Sequence, residues 1–462
     1  MVTRIEKLRI RKYKVYSILA NHIFYPVADM FLGTRLMKYL REMEKTQWWS
    51  PERLRELQNE KLRALIKHAY ENTTYYRRIF DERGLTYNDI QTIADLHKLP
   101  ILTKDNIRRN FSGLISKDAN RRRAFIDTTG GSTGEPLKYY IDMDVASVAW
   151  AGMFRGWKWA NYNLGDRRAA IGGSSLVAEK PTFKQRVRNL MERNLKLSAL
   201  NMSNSIMSSY ARRLVEYRPA FLRGYPSVLY LFADYLGRKG INNIRPKAIF
   251  TTAEMLFPYH RAIIERQFGC KVFDQYGCYD GGPQAMECAE HLGYHITVEK
   301  AIMEFVDEDK RPVPAGCTGE ILATDLHNYS MPFIRYAVED KGTLTDKQCL
   351  CGRGLPIMKS LEGRTTDTIV FSDGSTLPGP ALIDLFQKFQ YIKQYQVIQN
   401  SADYILIKLV KKECYTDKDS EHFLGIITDH ISKGAKIEVE FVDEIPITKA
   451  GKHKFIFSNI KT

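Results

Sequence analysis

No apolar run in this chain is long enough to cross a membrane. The best candidate, Ser17 to Gly33, is short and is interrupted by Asn21, His22 and Asp29. It lacks the Ala-x-Ala ending of a cleavable signal, and polar, helical sequence follows it. Two readings fit it: a helix packed on the main body, or an amphipathic segment lying on a membrane surface. Cysteine is scarce. Seven in 462 residues, an odd number with no export signal, point to a reducing cytoplasm and away from a disulfide scaffold. Acid is in deficit, with 53 Asp and Glu against 69 Lys and Arg and a net charge of +16. Arg4, Lys7, Arg9, Arg11, Lys12 and Lys14 are faced only by Glu6. Such a balance favours nucleotides, sugar phosphates, nucleic acid or an acidic membrane face, and a plain solvated surface equally. Internal repeats and low-complexity tracts are also absent. With 44% hydrophobic and 26% charged residues, the chain reads as globular and is too long for one core.

Leucines 54, 57, 62 and 65 with Ile66 follow helical spacing between about 50 and 85. Thr103 caps a second helical start, and Val145 to Trp159 reads as a long aromatic-rich helix. Short apolar runs then alternate with helices: Ala169-Ala170-Ile171, Phe221 to Tyr225, Ala248 to Thr252 and Lys271-Val272-Phe273. That alternation predicts an α/β architecture. From 296 to 340 the texture turns to strands. Beyond Gly363 to Gly379, strands at 394–398, 404–408 and 437–442 with a helix near 418–432 predict a small α+β domain on a hinge. The expected division is 1–50, a basic amphipathic extension; 51–363, a large α/β domain with a β-rich portion; and 364–462, a small mobile domain.

The densest chemistry lies in residues 128–138, Thr-Thr-Gly-Gly-Ser-Thr-Gly-Glu-Pro-Leu-Lys. Glycines let successive N–H groups converge on an anion, and hydroxyls add donors. The Gly-Lys-Ser/Thr ending of a Walker loop is missing. Alone, such a stretch is more often a surface loop. A second cluster runs Thr251-Thr252-Ala253-Glu254, then Gln275-Tyr276-Gly277-Cys278-Tyr279-Asp280. A ring beside a glycine lets a flat heterocycle stack, and the acid four residues on can hold Mg²⁺ at a phosphate. A third joins Arg335-Tyr336 and Asp340 to Gly363-Arg364. A carboxylate can accept both ribose hydroxyls, and an arginine can grip a phosphate. The fourth is Pro446-Ile447-Thr448-Lys449-Ala450-Gly451-Lys452, a mobile cation on a glycine loop.

Taken in order, these motifs resemble the adenylate-forming superfamily of acyl-coenzyme A synthetases, over roughly residues 50 to 460. They look closest to the phenylacetate–coenzyme A ligases and their capsular-polysaccharide-associated, CapK-like branch, as do Pro219 to Ser227 and Leu99 to Lys104. The resemblance implies that a carboxylate attacks the α-phosphate of Mg-ATP, giving an acyl-adenylate and pyrophosphate. A nucleophile, often the coenzyme A thiol, then displaces AMP. Carried over by position, Thr129, Ser132, Thr133 and Gly134 would hold phosphates, and Ala253 and Glu254 would border the adenine and acyl pocket. Tyr276 and Gly277 would meet the adenine, and Asp280 would serve near Mg²⁺. Asp340 would take the ribose, Arg364 the nucleotide at the junction, and Lys452 would promote adenylation. The pattern departs at Leu137, where lysine is common, and at Asp280, where glutamate is usual. It departs again at Val338-Glu339-Asp340, where Thr-Gly-Asp is common, and at Thr366, where aspartate is common.

Cys288, His295, Cys349 and Cys351 form a candidate structural Zn²⁺ site, since three thiolates and an imidazole suit a closed tetrahedral ion. His291 rivals His295, and reduced buried cysteines are the alternative. The implied substrate is a small or carrier-bound carboxylic acid in cell-surface polysaccharide synthesis. The acceptor is coenzyme A, an amine or a hydroxyl, and the setting is cytoplasmic or at the inner membrane face. A non-catalytic nucleotide- or nucleic-acid-binding protein is the competing class, but no RNA-module signature is present, so nucleic acid is not expected. Trp150, Phe154, Trp157 and Trp159 fit either an aryl pocket or core.

Overall fold

The computed structural model describes residues 15–128, 137–173, 176–177, 182–199, 202–364, 369–372, 376–377, 386, 389, 391–413, 415–431, 435–446, 455–458 and 460. A hairpin opens the strand content: β1 (Phe125–Thr128) pairs antiparallel with β2 (Lys138–Ile141), in register from Phe125 opposite Ile141 to Thr128 opposite Lys138. The next five strands are β3 (Arg168–Gly172), β4 (Asn194–Ser198), β5 (Phe221–Gly224), β6 (Ala248–Thr252) and β7 (Lys271–Gly277). Helices such as Asn204–Tyr217, Pro226–Arg238 and Pro258–Phe268 connect them, so neighbours run parallel. Six antiparallel strands extend the same sheet: β8 (Gln284–Glu287), β9 (Tyr294–Ile296), β10 (Ala301–Val306), β11 (Thr318–Asp325), β12 (Tyr336–Thr345) and β13 (Ile357–Arg364). The resulting 11-stranded sheet has the order β10-β11-β12-β13-β9-β8-β7-β6-β5-β3-β4.

Burial follows the pattern of a covered parallel sheet. All five residues of β3 are buried, and β5, β6 and β7 are buried at most of their positions. The long aromatic helix runs from Met143 to Lys158, capped by Asp142, whose carboxylate accepts the N–H groups of Asp144 and Val145. Its Phe154 and Trp157 are core residues, and Trp157 stacks on Phe250 of β6. Met37, Leu40 and Met43 of the helix Leu36–Thr46 lie in that same core.

Beyond the large sheet, β14 (Ile369–Val370) pairs with β15 (Thr376–Leu377). A four-stranded sheet follows: β16 (Ile392–Ser401), β17 (Tyr404–Lys411), β18 (Lys436–Phe441) and β19 (Ile456–Ser458), in the order β18-β17-β16-β19. The helix Asp417–Ile431 covers it through Phe423 and Ile427. This is the α+β texture expected of the C-terminal region. No described helix is long and apolar enough to cross a membrane.

Candidate functional site

Ligands of open α/β sheets bind at the carboxyl ends of parallel strands, where chain direction or order changes. Here that place is the junction between β7, the last parallel strand, and antiparallel β8. β7 ends in the Tyr-Gly motif, and the turn that follows carries Asp280. Tyr276 is buried, and its hydroxyl donates to Asp340 Oδ2 at 2.9 Å. Tyr336 of β12 donates to Asp280 Oδ2 at 3.1 Å. Two phenol–carboxylate bonds thus link β12 to the end of β7 and to the turn after it, bringing Tyr276, Asp280 and Asp340 together. Burial, then the neighbouring Asp340 carboxylate, raises the Tyr276 phenol well above its ordinary pKa, so it stays a donor. Asp340 stands opposite Arg364 in the register of β12 and β13, which sets the Arg364 backbone at the same corner.

Glycines let the turn sit this tightly. Gly281 and Gly282 have φ of 72° and 79°, and a Cβ on Gly282 would lie 2.6 Å from Asp325 Oδ2. Lys300 donates to the Gly282 carbonyl from beneath. At the end of β6, Ala253 adopts φ of 71°, a left-handed conformation that costs a non-glycine residue about 1 kcal/mol or more. That kink directs Glu254 to the start of the helix Pro226–Arg238, where its carboxylate accepts the Ser227 N–H at 3.1 Å.

The glycine loop's flanks reach the same corner. Burial first, then the Asp280 and Asp127 carboxylates, pushes the Tyr139 phenol far above its usual range. Tyr139 lies on β2 and its hydroxyl is 3.4 Å from Asp127 Oδ2, so the base of the hairpin stands beside the Tyr-Gly turn. Thr129, Ser132, Thr133, Gly134 and Lys452 lie outside the described residues, as does the Arg364 side chain. Tyr336 and Tyr139 were not assigned roles from sequence; their alternation on strands gives no such signal. Arg335 of the same motif is structural: its guanidinium bonds both Glu304 oxygens and the Leu99 carbonyl.

The cysteine cluster assembles. Cys288 follows β8, His295 lies on β9, and Cys349 and Cys351 sit between β12 and β13. Their four ligand atoms lie within 4.8 Å of one another. Cys288 Sγ is 3.6 Å from Cys349 Sγ, and Cys351 Sγ is 3.4 Å from His295 Nε2. With Zn–S near 2.3 Å and Zn–N near 2.0 Å, a tetrahedral ion would set these gaps at about 3.8 and about 3.5 Å. The donor set therefore fits. Burial, then the nearby Arg353, lowers His295 to about 4, leaving the neutral imidazole a metal requires. His291 is turned elsewhere, its Nδ1 at 3.2 Å from Glu287.

Residues 369–459 match the family described as the CapK C-terminal domain. Protein CapK of Staphylococcus aureus is 27% identical over 419 residues, 88% of this chain and 89% of that protein. A phenylacetate-coenzyme A ligase of Thermus thermophilus is 24% identical over 434 residues, covering 87% and 94%. Among solved structures, 2-hydroxyisobutyryl-CoA ligase in the postadenylation state with 2-HIB-AMP overlays with a TM-score of 0.72 at 19% identity, covering 90% of this chain and 91% of that one. An open conformation of that ligase with 2-HIB-AMP and CoA gives 0.58 at 18% identity, covering 87% and 90%. The chain therefore has the adenylate-forming ligase fold and is a relative of CapK and the phenylacetate–coenzyme A ligases.

Proposed function

We propose that this chain is an AMP-forming ligase that adenylates a carboxylic acid and passes the acyl group to coenzyme A or another nucleophile. The observation that carries the reading is the meeting of Tyr276, Asp280 and Asp340 beside the base of the glycine-loop hairpin. A carboxylate oxygen of the acid bonds to the α-phosphorus of ATP, the α–β anhydride bond breaks, and pyrophosphate leaves. The acceptor then bonds to the acyl carbon, and AMP leaves. Asp340 would hold the ribose hydroxyls in the direction set by Tyr276, and Tyr276 with Gly277 would floor the adenine. Ala253 and Glu254 would border the adenine and acyl pocket. Asp280, steered by Tyr336, would hold Mg²⁺, which supplies charge neutralisation on the phosphates. Thr129, Ser132, Thr133 and Gly134 would donate to phosphate oxygens, Arg364 would steady the nucleotide, and Lys452 would neutralise the α-phosphate in the transition state. The division at 51–363 and 364–462 would let the small domain rotate between steps. A structural Zn²⁺ on Cys288, His295, Cys349 and Cys351 would fix the segment after the Tyr-Gly turn. The resemblance of its motifs to the capsular-polysaccharide-associated branch supports a product used in cell-surface polysaccharide synthesis.

Pyrophosphate exchange across a carboxylic-acid panel tests the reading. Lys452→Ala should lower exchange by about a hundredfold or more; unchanged exchange sinks the assignment.

Peripheral contact with an anionic membrane is a second element. Ile18, Ile23, Met30 and Phe31 are exposed along residues 15–32, with Phe31 at 79%. The segment's one acid, Asp29, faces inward and accepts the Leu36 and Met37 N–H groups. Arg193 stacks over Tyr16 of this segment and lines, with Arg167, Arg212 and Arg218, a cavity of about 890 Å³. Co-sedimentation with phosphatidylglycerol vesicles should exceed that with phosphatidylcholine and fall in Phe31→Asp. Equal recovery from both refutes the contact.

A further inference from the structure

One row of side chains crosses the parallel part of the large sheet: Lys196 on β4, Ala170 on β3, Arg223 on β5 and Phe250 on β6 are register partners in turn. Register partners in parallel strands point to one face, so Lys196 and Arg223 stand two strands apart, about 10 Å, with only a methyl group between them. That face lies under Trp157, whose ring centroid is 5.4 Å from the Arg223 guanidinium carbon. Both cations are half-buried, and solvent still reaches them.

Neither makes a hydrogen bond or ion pair to a carboxylate among the described residues, and Arg223 Nε has no hydrogen-bond partner among them. The neighbouring acid is already taken: Glu192 pairs with Arg168 at 2.5 Å and with Arg188 at 3.8 Å. Arg168 is further satisfied by the Tyr162 hydroxyl at 2.8 Å. A desolvated cation without an anion is costly to keep. Burial pulls Arg223 down to about 10 and lowers Lys196 as well, with Arg188 adding to the latter. Arg223 nevertheless remains charged at neutral pH. The pair also lies toward the candidate adenylation site. The Tyr279 phenol, raised by burial, is held back chiefly by the Arg223 charge, and Tyr279 immediately precedes Asp280.

We propose that the acid activated here carries a second anionic group, such as another carboxylate, a sulfate or a phosphate, bound by Arg223 and Lys196 over Ala170. This rests on the adenylation reading. Arg223 and Lys196 are then specificity residues, selecting dianionic over monoanionic acids of the same size. A phenyl or alkyl tail would instead bury against two cations that have no carboxylate partner among the described residues.

The test is ATP–pyrophosphate exchange by the full chain on matched acids, succinate against butyrate and 4-carboxyphenylacetate against phenylacetate. A charge-assisted bond predicts that the wild type favours the dianion by about ten- to 150-fold in kcat/KM. Arg223→Gln should erase most of that preference through KM and leave the monoanions within about threefold, while Arg223→Lys retains part of it. Lys196→Gln should shift the preference in the same direction. A wild-type preference for the monoanion, or an equal loss on both acids in Arg223→Gln, overturns the proposal while leaving adenylation standing. If no acid supports exchange, the adenylation reading fails and thermal shift decides the anion site. A larger wild-type stabilisation by succinate than by butyrate, lost in Arg223→Gln, upholds a dianion site; no difference overturns it.

Discussion

Cys349→Ser tests the metal reading most directly. Its effect can be worked from chain topology. The cluster ties Cys288 to Cys349 across 61 residues, joining the segment after β8 to the loop ahead of β13. A cross-link closing a loop of that length removes unfolded-state entropy equivalent to about 4 kcal/mol. That is an upper figure, because the thiols and imidazole of the unfolded chain can also bind zinc. At the usual unfolding entropy per residue, a chain of this size loses roughly 4 °C in Tm for about 4 kcal/mol. Without an ion, Cys288 is a poor ligand: burial raises its thiol to about 12, so binding must release protons. Elemental analysis of the purified protein should give about one zinc per chain in the wild type and much less in Cys349→Ser. Dipicolinate should lower the wild-type Tm by a few degrees and leave the variant's unchanged. Zinc-replete wild-type protein with under about a tenth of an equivalent bound, or a variant matching it in metal and Tm, would refute the reasoning.

Two further outcomes follow from buried charge. Arg155 and Glu299 pair at 2.6 Å with 1% and 4% side-chain exposure, and Thr46 donates to the same Glu299 oxygen. Arg155→Met should therefore cost about 3–5 kcal/mol in urea unfolding by stranding Glu299, and a loss under about 1 kcal/mol would contradict this. Asp274 is raised to about 6, by burial first and then by Glu287, against the Thr251 and Tyr294 hydroxyls that hold its carboxylate. Because its folded pKa lies above the unfolded value, its stabilising contribution is complete below about 3.8 and is lost as pH rises through about 6. Asp274→Asn should gain on the wild type by about 2–3 kcal/mol between pH 4 and pH 7. A difference that stays flat with pH would exclude that origin.

Much of the fold was legible because period and punctuation are local. The runs at 169–171, 221–225, 248–252 and 271–273 became adjacent parallel strands, and the stretch Val145 to Trp159 became the helix Met143–Lys158. The cysteine and histidine spacing also pointed to one cluster, although its choice of His295 over His291 depended on a strand pairing. The links between distant elements were not legible. The Arg155–Glu299–Thr46 network joins residues 144 and 253 positions apart, and the Tyr276–Asp340 bond spans 64. No local pattern marks such partners. The cations on β4 and β5 were hidden for the same reason, since an arginine in an apolar strand discloses nothing about which neighbour it faces.

The central place of β9 has a consequence for biosynthesis. This three-residue strand pairs with β8 on one side and β13 on the other, and β13 is made about sixty residues later. During translation, strands through β8 can pair as they emerge. Tyr294 to Ile296 must then wait with one edge bare until residue 357 has left the ribosome. Nascent chains stalled in that interval would offer an unpaired edge to chaperones, and the same window is when the histidine still lacks two of its three sulfur companions.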